Sequence, residues 1–243
     1  MKEIGLIGYG NFGKFIHENL SEYFSFHIYD INQSNRDIVF SNLKTCLSKE
    51  IIIISIPVQY IEDFLINNSN LFNKTSLVLD VSSVKIKPLQ LMDRYLPKDI
   101  GIIGTHPLFG PNSFPKSEDG DNKKFKIALC PYRNTDWAHT ADFLADKLGL
   151  DVIIKTPEEH DREMAYIQGL SHLIAKAMNE MDIKEMNLKT RSYEYLLKMY
   201  QMLKNDTDDL FMTIENENPF AEEARNQFIK QLNKINDNIR KQP

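Results

Sequence analysis

A glycine-rich segment near the amino terminus has the residue types and the spacing of a dinucleotide-binding loop. Gly8, Gly10 and Gly13 form a G-x-G-x-x-G motif that follows a short apolar strand pattern and opens a helical pattern. Glycines in such a turn let the backbone approach a pyrophosphate, and the amino terminus of the helix faces its charge. We therefore expect a dinucleotide here, contacted by the three glycines together with Asn11 and Phe12.

The next charged residue that could contact such a ligand is Asp30, which ends the second predicted strand about 20 residues beyond the middle of the motif. Its carboxylate can accept hydrogen bonds from both ribose hydroxyls of an adenosine and would repel a 2′-phosphate, which favours NAD over NADP. Arg36 lies a few residues further on and leaves NADP possible. Ser55 and Pro57 end a third, wholly apolar strand, where ligands of parallel sheets bind, so we expect them to line the nicotinamide or the pyrophosphate. An ordinary strand-to-helix turn is the alternative.

A second segment could carry acid–base chemistry. Residues 104–111 read GTHPLFGP, and the two glycines and two prolines predict an irregular, rigid loop after a strand over 100–104. His106 would stand at the carboxyl end of that strand. An imidazole titrates near neutrality and can take a proton from an alcohol as hydride leaves. The preceding strand ends in DVSSVK at 80–85, where a serine could orient the imidazole.

These segments resemble the signatures of prephenate and arogenate dehydrogenases, the enzymes of tyrosine biosynthesis. The resemblance rests on GTHPLFGP at 104–111, DVSSVK at 80–85, EHDR at 159–162 and QGLSH at 168–172, in matching order and spacing. It implies oxidative decarboxylation of a cyclohexadienol, in which hydride leaves for the nicotinamide, His106 takes the hydroxyl proton, carbon dioxide departs and the ring becomes aromatic. By the same resemblance, Ser83 would hydrogen-bond to His106 or to the substrate hydroxyl.

The implied substrate is a small anion, although the protein is net acidic. Gln168 and His172 share one face of a predicted helix; they are either satisfied polar groups of a core or interface, or a wall that faces the substrate, which the resemblance favours. Arg191 lies in a segment that resembles the plant arogenate branch and is our candidate partner for a carboxylate, with a solvated helix-end arginine as the alternative. Many bacterial members carry an arginine near the position of Gln201, so the mode of carboxylate recognition stays open, and Lys85 or a second subunit could supply the cation.

The elements that must position these residues fall into two parts. Alternating strands and helices over 1–155 predict an α/β, Rossmann-type domain with a doubly wound, mostly parallel sheet. Helical periodicity over 156–243 predicts a smaller all-helical domain for substrate binding and dimerisation. In its last helix, the apolar residues Phe228, Leu232, Ile235 and Ile239 follow spacings of four, three and four, which favours a homodimer through this domain.

Composition excludes several other classes. With 42% hydrophobic residues and 26% charged residues, the chain of 243 residues can form a packed core, and its net charge of −5 disfavours nucleic acid as a partner. No apolar run approaches the length of a membrane span, and two cysteines make neither a disulfide framework nor a metal cluster, so we expect a cytoplasmic protein without a metal. Two alternatives stay open: another dehydrogenase with a helical second domain, such as a 3-hydroxyacid or pyrroline-carboxylate reductase type, and an inactive NAD-binding regulatory protein.

Overall fold

The structure is a computed structural model that describes residues 1–35, 37–111, 125–183 and 186–241. The chain divides into two compact units, Met1–Glu158 (unit 1) and Glu159–Pro243 (unit 2). The predicted boundary lay between residues 155 and 156. The separate roles that it gave to the two parts stay predictions.

Unit 1 is built on a seven-stranded sheet in the order β2-β1-β3-β4-β5-β6-β7. Strands β1 to β5 are parallel, β6 is antiparallel to β5, and β7 is parallel to β6. The strands are β1 (Lys2–Ile7), β2 (Phe24–Tyr29), β3 (Ile51–Ile54), β4 (Leu77–Asp80), β5 (Gly101–Pro107), β6 (Lys126–Arg133) and β7 (Asp151–Ile154). The predicted Rossmann-type, mostly parallel sheet is confirmed.

The centre of the sheet is held by aliphatic residues that are buried on both faces. Ile52, Val78 and Ile102 lie in register across β3, β4 and β5, and each is fully buried. Helices cover both faces of such a sheet, which is why the central strands are apolar at nearly every position. Burying one such side chain contributes roughly 1.5–3 kcal/mol to folding.

In the described part of unit 1, five helices connect these strands. They are α1 (Asn11–Leu20), α2 (Leu43–Leu47), α3 (Ile61–Asn68), α4 (Ile86–Tyr95) and α5 (Trp137–Asp142); a 3-10 turn, Val58–Tyr60, precedes α3, and a π turn, Phe143–Lys147, continues α5. Because β2 and β3 pair with opposite sides of β1, the connections after β1 and β3 diverge. In sheets of this kind, ligands bind at such a topological switch point, outside the carboxyl ends of the two strands.

The segment around His106 differs from the expected loop. β5 runs to Pro107, and His106 pairs with Ala128 of β6 in antiparallel register. The prediction of an irregular loop beginning at Gly104 is therefore wrong for residues 104–107, because β6 returns alongside β5 and gives its backbone a hydrogen-bonding partner. β5 ends at Pro107, and the amide of the next residue, Leu108, still donates to the carbonyl of Lys126 over 2.9 Å.

Unit 2 is helical wherever the structure describes regular secondary structure in it. The helices are α6 (Pro157–Met164), α7 (Leu170–Glu180), α8 (Arg191–Leu203), α9 (Asp208–Asn216) and α10 (Ala221–Arg240). A π turn, Ala165–Gly169, joins α6 to α7, so the helix predicted to carry Gln168 and His172 contains one bulged turn. Threonine hydroxyls cap α8 and α9, as Thr190 accepts from the amide of Tyr193 and Thr207 from that of Leu210.

The outer face of α10 remains exposed in the single chain. Leu232, Ile235 and Ile239 are 49%, 55% and 67% exposed. A homodimer through this unit stays a prediction. Across the described residues, no helix combines the length and the apolar character needed to span a membrane.

Candidate functional site

Two glycines of the amino-terminal motif are required by the packing of unit 1. Gly8 has φ +97°, and a Cβ there would lie 2.3 Å from the carbonyl oxygen of Ser55. A Cβ on Gly13 would lie 2.1 Å from the carbonyl oxygen of Gly8. The loop after β1 is thus pressed between the end of β3 and the first turn of α1, and any side chain at these positions would push them apart.

The third glycine is not required by the fold, and this fits a ligand. Gly10 is the N-cap residue of α1 with φ −70°, a conformation open to any residue, and a Cβ there would have no heavy atom within 4 Å. No side chain of the described residues caps α1, so the amides of its first residues, Asn11 and Phe12, are left to face an anion. The open space and the uncapped helix end suit the pyrophosphate of a dinucleotide.

Asp30 is held beside this loop. The amide of Tyr9 donates to Asp30 Oδ2 over 2.5 Å, and the amide of Asn32 donates to Oδ1 over 2.6 Å. Each carboxylate oxygen keeps a lone pair that can accept from a ribose hydroxyl. Arg36, the residue that left NADP possible, lies outside the described residues.

The side chain of Tyr9 is anchored within unit 1 rather than directed at a ligand. Its hydroxyl lies 3.0 Å from Nδ1 of His17, and its ring packs edge-on against Phe40. Burial raises the pKa of Tyr9 and lowers the pKa of His17. Both groups are therefore neutral near pH 7, with the phenol donating to the unprotonated nitrogen.

Ser55 and Pro57 follow β3 as the sequence indicated. The amide of Ser55 donates to the carbonyl of Ile7 over 2.8 Å, which joins the ends of β1 and β3. The Ser55 hydroxyl lies 3.6 Å from the position of a Cβ on Gly13, so this serine borders the glycine loop. Pro57 is exposed and precedes the 3-10 turn. Their contact with a cofactor stays a prediction.

His106 lies at the same edge of the sheet, 5% exposed, with a buried ion pair next to it. Lys85 Nζ donates to Asp80 Oδ2 and, over 2.7 Å, to the carbonyl of Thr105. The side chains of Lys85 and Asp80 are at most 1% exposed. The lysine considered as an alternative substrate cation is thus already paired inside the protein. The sequence signal for this pair was an aspartate and a lysine five residues apart at the end of an apolar strand.

Ser83 stands next to this pair but does not join its hydrogen bonds. It is half-buried, and its hydroxyl has no hydrogen-bond partner within the described chain. Ser82 is the serine that contacts Asp80, since its hydroxyl lies 3.0 Å from Oδ2 and its amide donates to Oδ1 over 3.2 Å. The role of Ser83 toward His106 or a substrate stays a prediction.

Aromatic contacts join the loop after His106 to the glycine-loop helix. The ring centroid of Phe109 lies 6.2 Å from that of Phe15 on α1 and 5.3 Å from that of Phe125. This contact is not predictable from the sequence, because Phe15 has the helical spacing of an ordinary core residue. Through this contact, the residues that follow His106 pack against α1, the helix that comes directly after the glycine loop in unit 1.

In unit 2, the two polar residues expected on one helix face differ in their bonding. His172 Nδ1 lies 2.9 Å from the carbonyl of Gln168, and Nε2 lies 3.2 Å from Asp206 Oδ2. Both neighbours are acceptors, so an N–H of the imidazole can donate to either of them. The amide oxygen of Gln168, on the π turn, is buried and has no partner among the described residues. Gln168 therefore keeps an unused acceptor, while His172 is satisfied within unit 2.

Arg191 is the first residue of α8 and is exposed. Its guanidinium has no ion-pair partner in the part of the chain that is described. Gln201, near the position where an arginine was expected, is exposed on the same helix. The carboxylate-binding role of Arg191 stays a prediction.

The sheet, the glycine loop and the aspartate after β2 define a dinucleotide-binding α/β protein. The chain belongs to the prephenate dehydrogenase family: the family model for the prephenate dehydrogenase nucleotide-binding domain matches residues 29–154. A second model, the TYRAAT1-like C-terminal domain, matches residues 177–243. The predicted family is confirmed, and so is a nicotinamide dinucleotide, NAD or NADP, as the cofactor.

Curated relatives carry related names. A probable arogenate/prephenate dehydrogenase of Methanocaldococcus jannaschii is 24% identical over 82% of this chain and 46% of that protein. Arogenate dehydrogenases 1 and 2 of Arabidopsis thaliana, both chloroplastic, are each 26% identical, over 93% and 90% of this chain and 37% and 64% of theirs. The chain thus spans between 37% and 64% of the length of these relatives.

Solved structures share the fold. Prephenate dehydrogenase from Aquifex aeolicus, in complex with hydroxyphenyl propionate and NAD+, has a TM-score of 0.74 at 21% identity, covering 98% of this chain and 91% of that chain. Synechocystis arogenate dehydrogenase has a TM-score of 0.67 at 19% identity, covering 98% and 93%. Pyrroline carboxylate reductase from Plasmodium falciparum, a class kept as an alternative, has a TM-score of 0.53 at 12% identity, covering 98% and 92%.

Proposed function

We propose that this protein is an NAD-dependent dehydrogenase that oxidatively decarboxylates prephenate to 4-hydroxyphenylpyruvate or arogenate to tyrosine, in tyrosine biosynthesis. One observation carries the proposal. His106 lies nearly buried at the carboxyl edge of β5, and the loop after it packs through Phe109 on the helix that opens the dinucleotide loop. The proposed base and the loop proposed to bind the hydride acceptor therefore lie at the same edge of one sheet.

NAD, when bound, supplies the hydride acceptor. Gly8, Gly10 and Gly13 give its pyrophosphate room, and the first amides of α1 face its charge. Asp30 accepts from the ribose hydroxyls and repels a 2′-phosphate, which selects NAD over NADP.

His106 holds the role of general base. Its imidazole takes the proton of the ring hydroxyl while hydride leaves the same carbon. The bond from the ring to its carboxylate then breaks, carbon dioxide departs, and the electron pair of that bond completes the aromatic ring. A base positioned in this way contributes typically 10²–10⁴-fold to the rate.

Unit 2 supplies partners for the polar groups of the substrate in this proposal. Arg191 offers an exposed guanidinium, His172 an imidazole that already meets Asp206, and Gln168 an unused amide oxygen that can accept from a substrate hydroxyl. The arginine is the strongest of the three for a carboxylate, because its planar fork can bond bidentately. A homodimer through unit 2 and a cytoplasmic location complete the proposal.

Initial rates with both substrates and both cofactors test it, followed by the absorbance or fluorescence of the reduced nicotinamide. We expect turnover of at least one substrate with NAD and little with NADP. If neither substrate is oxidised although NAD binds, the regulatory alternative replaces the proposal. If another hydroxyacid or an imine substrate is turned over instead, the protein is a different dehydrogenase.

A further inference from the structure

Strand β5 extends beyond the strand beside it at the point where His106 lies. β4 ends at Asp80, which pairs with Gly104, whereas β5 continues to Pro107. On its β4 side, Thr105 therefore has no further strand residue to bond to. Two side-chain bonds take over there: Lys85 Nζ donates to the Thr105 carbonyl over 2.7 Å, and Thr105 Oγ1 donates to the Asp80 carbonyl over 2.9 Å.

The lysine reaches this position because the chain leaves space for it. A Cβ on Gly104 would lie 3.0 Å from Lys85 Cδ and 2.9 Å from Leu89 Cδ1. The glycine of the GTHP segment thus admits the lysine stem beneath β5. The ammonium group is buried and paired with Asp80, whose other contacts include the hydroxyl and amide of Ser82.

A buried ion pair is a poor way to gain stability, since desolvating two charges offsets most of their attraction. An apolar residue would fill the same volume at lower cost but would leave the Thr105 carbonyl without a donor. The structural effect of the lysine is to fix one peptide group, the one that joins Thr105 to His106. The plane of this group sets the direction from which the imidazole projects.

We propose that Lys85 is a positioning residue for His106, acting through the Thr105 carbonyl. This inference rests on the proposed role of His106 as the base. Lys85 touches neither substrate nor cofactor in this assignment, because its ammonium is enclosed by Asp80 and Thr105. A displacement of about 1 Å in a reacting group can cost on the order of 10²-fold in rate, so a loosened peptide before the base would lower kcat.

The test replaces both charges together, as Asp80→Asn with Lys85→Met, so that no unpaired ion is left buried. We expect a folded protein with an unchanged Kd for NAD, a nearly unchanged KM, and a kcat lowered by roughly 10–100-fold. When the same double replacement is made in the His106→Asn variant, it should not lower kcat any further, because the effects of residues that act as one unit are not additive.

A matched control uses another ion pair of unit 1, next to the other end of β5. Arg133 Nη1 donates to Asp93 Oδ1 over 2.6 Å, and its Nε donates to the carbonyl of Ile100 over 3.2 Å. Asp93→Asn with Arg133→Met should lower the Tm but leave kcat unchanged. Equal losses of kcat in the two double variants would point to general destabilisation and overturn the proposal.

A readout independent of turnover completes the design. The chain has six histidines, and the ring 15N signals of His106 are those missing from the spectrum of His106→Asn. In Asp80→Asn with Lys85→Met we expect the His106 signals to move, while that of the exposed His139 does not. Unmoved His106 signals, an unchanged kcat, or an undiminished cost in the His106→Asn background would each overturn the role of Lys85. If the wild type turns over neither substrate, the proposed function fails, and the ring signals still decide whether Lys85 positions His106.

Discussion

The backbone amide of Tyr9 donates to Asp30 Oδ2 over 2.5 Å, so the carboxylate expected at the adenosine ribose is fastened to the glycine loop itself. The residue that would select the cofactor is also a structural part of the loop that would bind it. Two substitutions of Asp30 can separate the effect of its negative charge from that of its hydrogen bond with the Tyr9 amide.

For Asp30→Asn we expect the preference for NAD over NADP to shrink, because the amide removes the negative charge and keeps an acceptor for Tyr9. Two like charges about 4 Å apart near a protein surface repel by about 4 kcal/mol, more than the ~1.4 kcal/mol of a tenfold preference. Asp30→Ala also loses the anchor and should weaken NAD binding itself. Values of kcat/KM with both cofactors check this. A wild type that prefers NADP would contradict it.

Gly10→Ala and Gly13→Ala form a matched pair in the glycine loop. A methyl group on Gly13 would clash with the carbonyl of Gly8. Such overpacking destabilises the fold by about 1–3 kcal/mol, which outweighs the ~1 kcal/mol by which alanine stabilises a helix relative to glycine. Gly13→Ala should therefore lower the Tm. Gly10→Ala should keep the wild-type Tm but raise the Kd for NAD roughly tenfold or more, because the methyl group occupies space that the pyrophosphate needs. Unchanged NAD binding in Gly10→Ala would argue against the assigned loop.

His106→Asn should fold and bind NAD yet lose about 10²–10⁴-fold in kcat, since asparagine cannot accept the proton. In the wild type, kcat/KM should fall at acid pH as the imidazole takes up a proton and ceases to be a base. His139→Asn is the control, because that ring is 87% exposed on α5. Near-normal turnover in His106→Asn would remove this residue from the mechanism.

Arg191→Ala should raise KM for the substrate by roughly 10–150-fold, the equivalent of one charged hydrogen bond of about 1.5–3 kcal/mol. The Kd for NAD should barely move, and kcat should stay nearly intact if the lost interaction is uniform binding. Lys198→Ala, another exposed cation of α8, is the control and should leave KM unchanged. An unchanged KM in Arg191→Ala would show that Arg191 is a solvated arginine at a helix end and does not bind the substrate.

The thiol of Cys46 should be inert in the folded protein. Burial raises its pKa to about 11, and its Sγ donates to the carbonyl of His27 over 3.2 Å. At pH 8 only about 0.1% of such a thiol is the reactive thiolate. Cys130 is also buried. An aromatic disulfide reagent should therefore label neither cysteine in the native state at pH 8, and both after unfolding; rapid native labelling would show that unit 1 opens locally.

Features that depend on neighbouring residues were predictable from the sequence. The apolar runs of β1, β3 and β4, the glycine turn before α1 and the proline that opens α6 act over a few residues, so their patterns indicated the Rossmann-type sheet and the helical part that follows it. The family signature around His106 was legible for the same reason, because it is contiguous.

Features that depend on which segments meet were decided only by the tertiary structure. β5 extends through His106 because β6, more than 20 residues later, pairs with it, and no local pattern encodes that approach. Lys85 became a buried donor to Thr105 only because β4 stops at Asp80 while β5 continues. His172 gained Asp206 from a helix-terminal segment 34 residues away. Residue types specify what each group can donate or accept, but the partner that completes each bond is set by how the strands and helices pack.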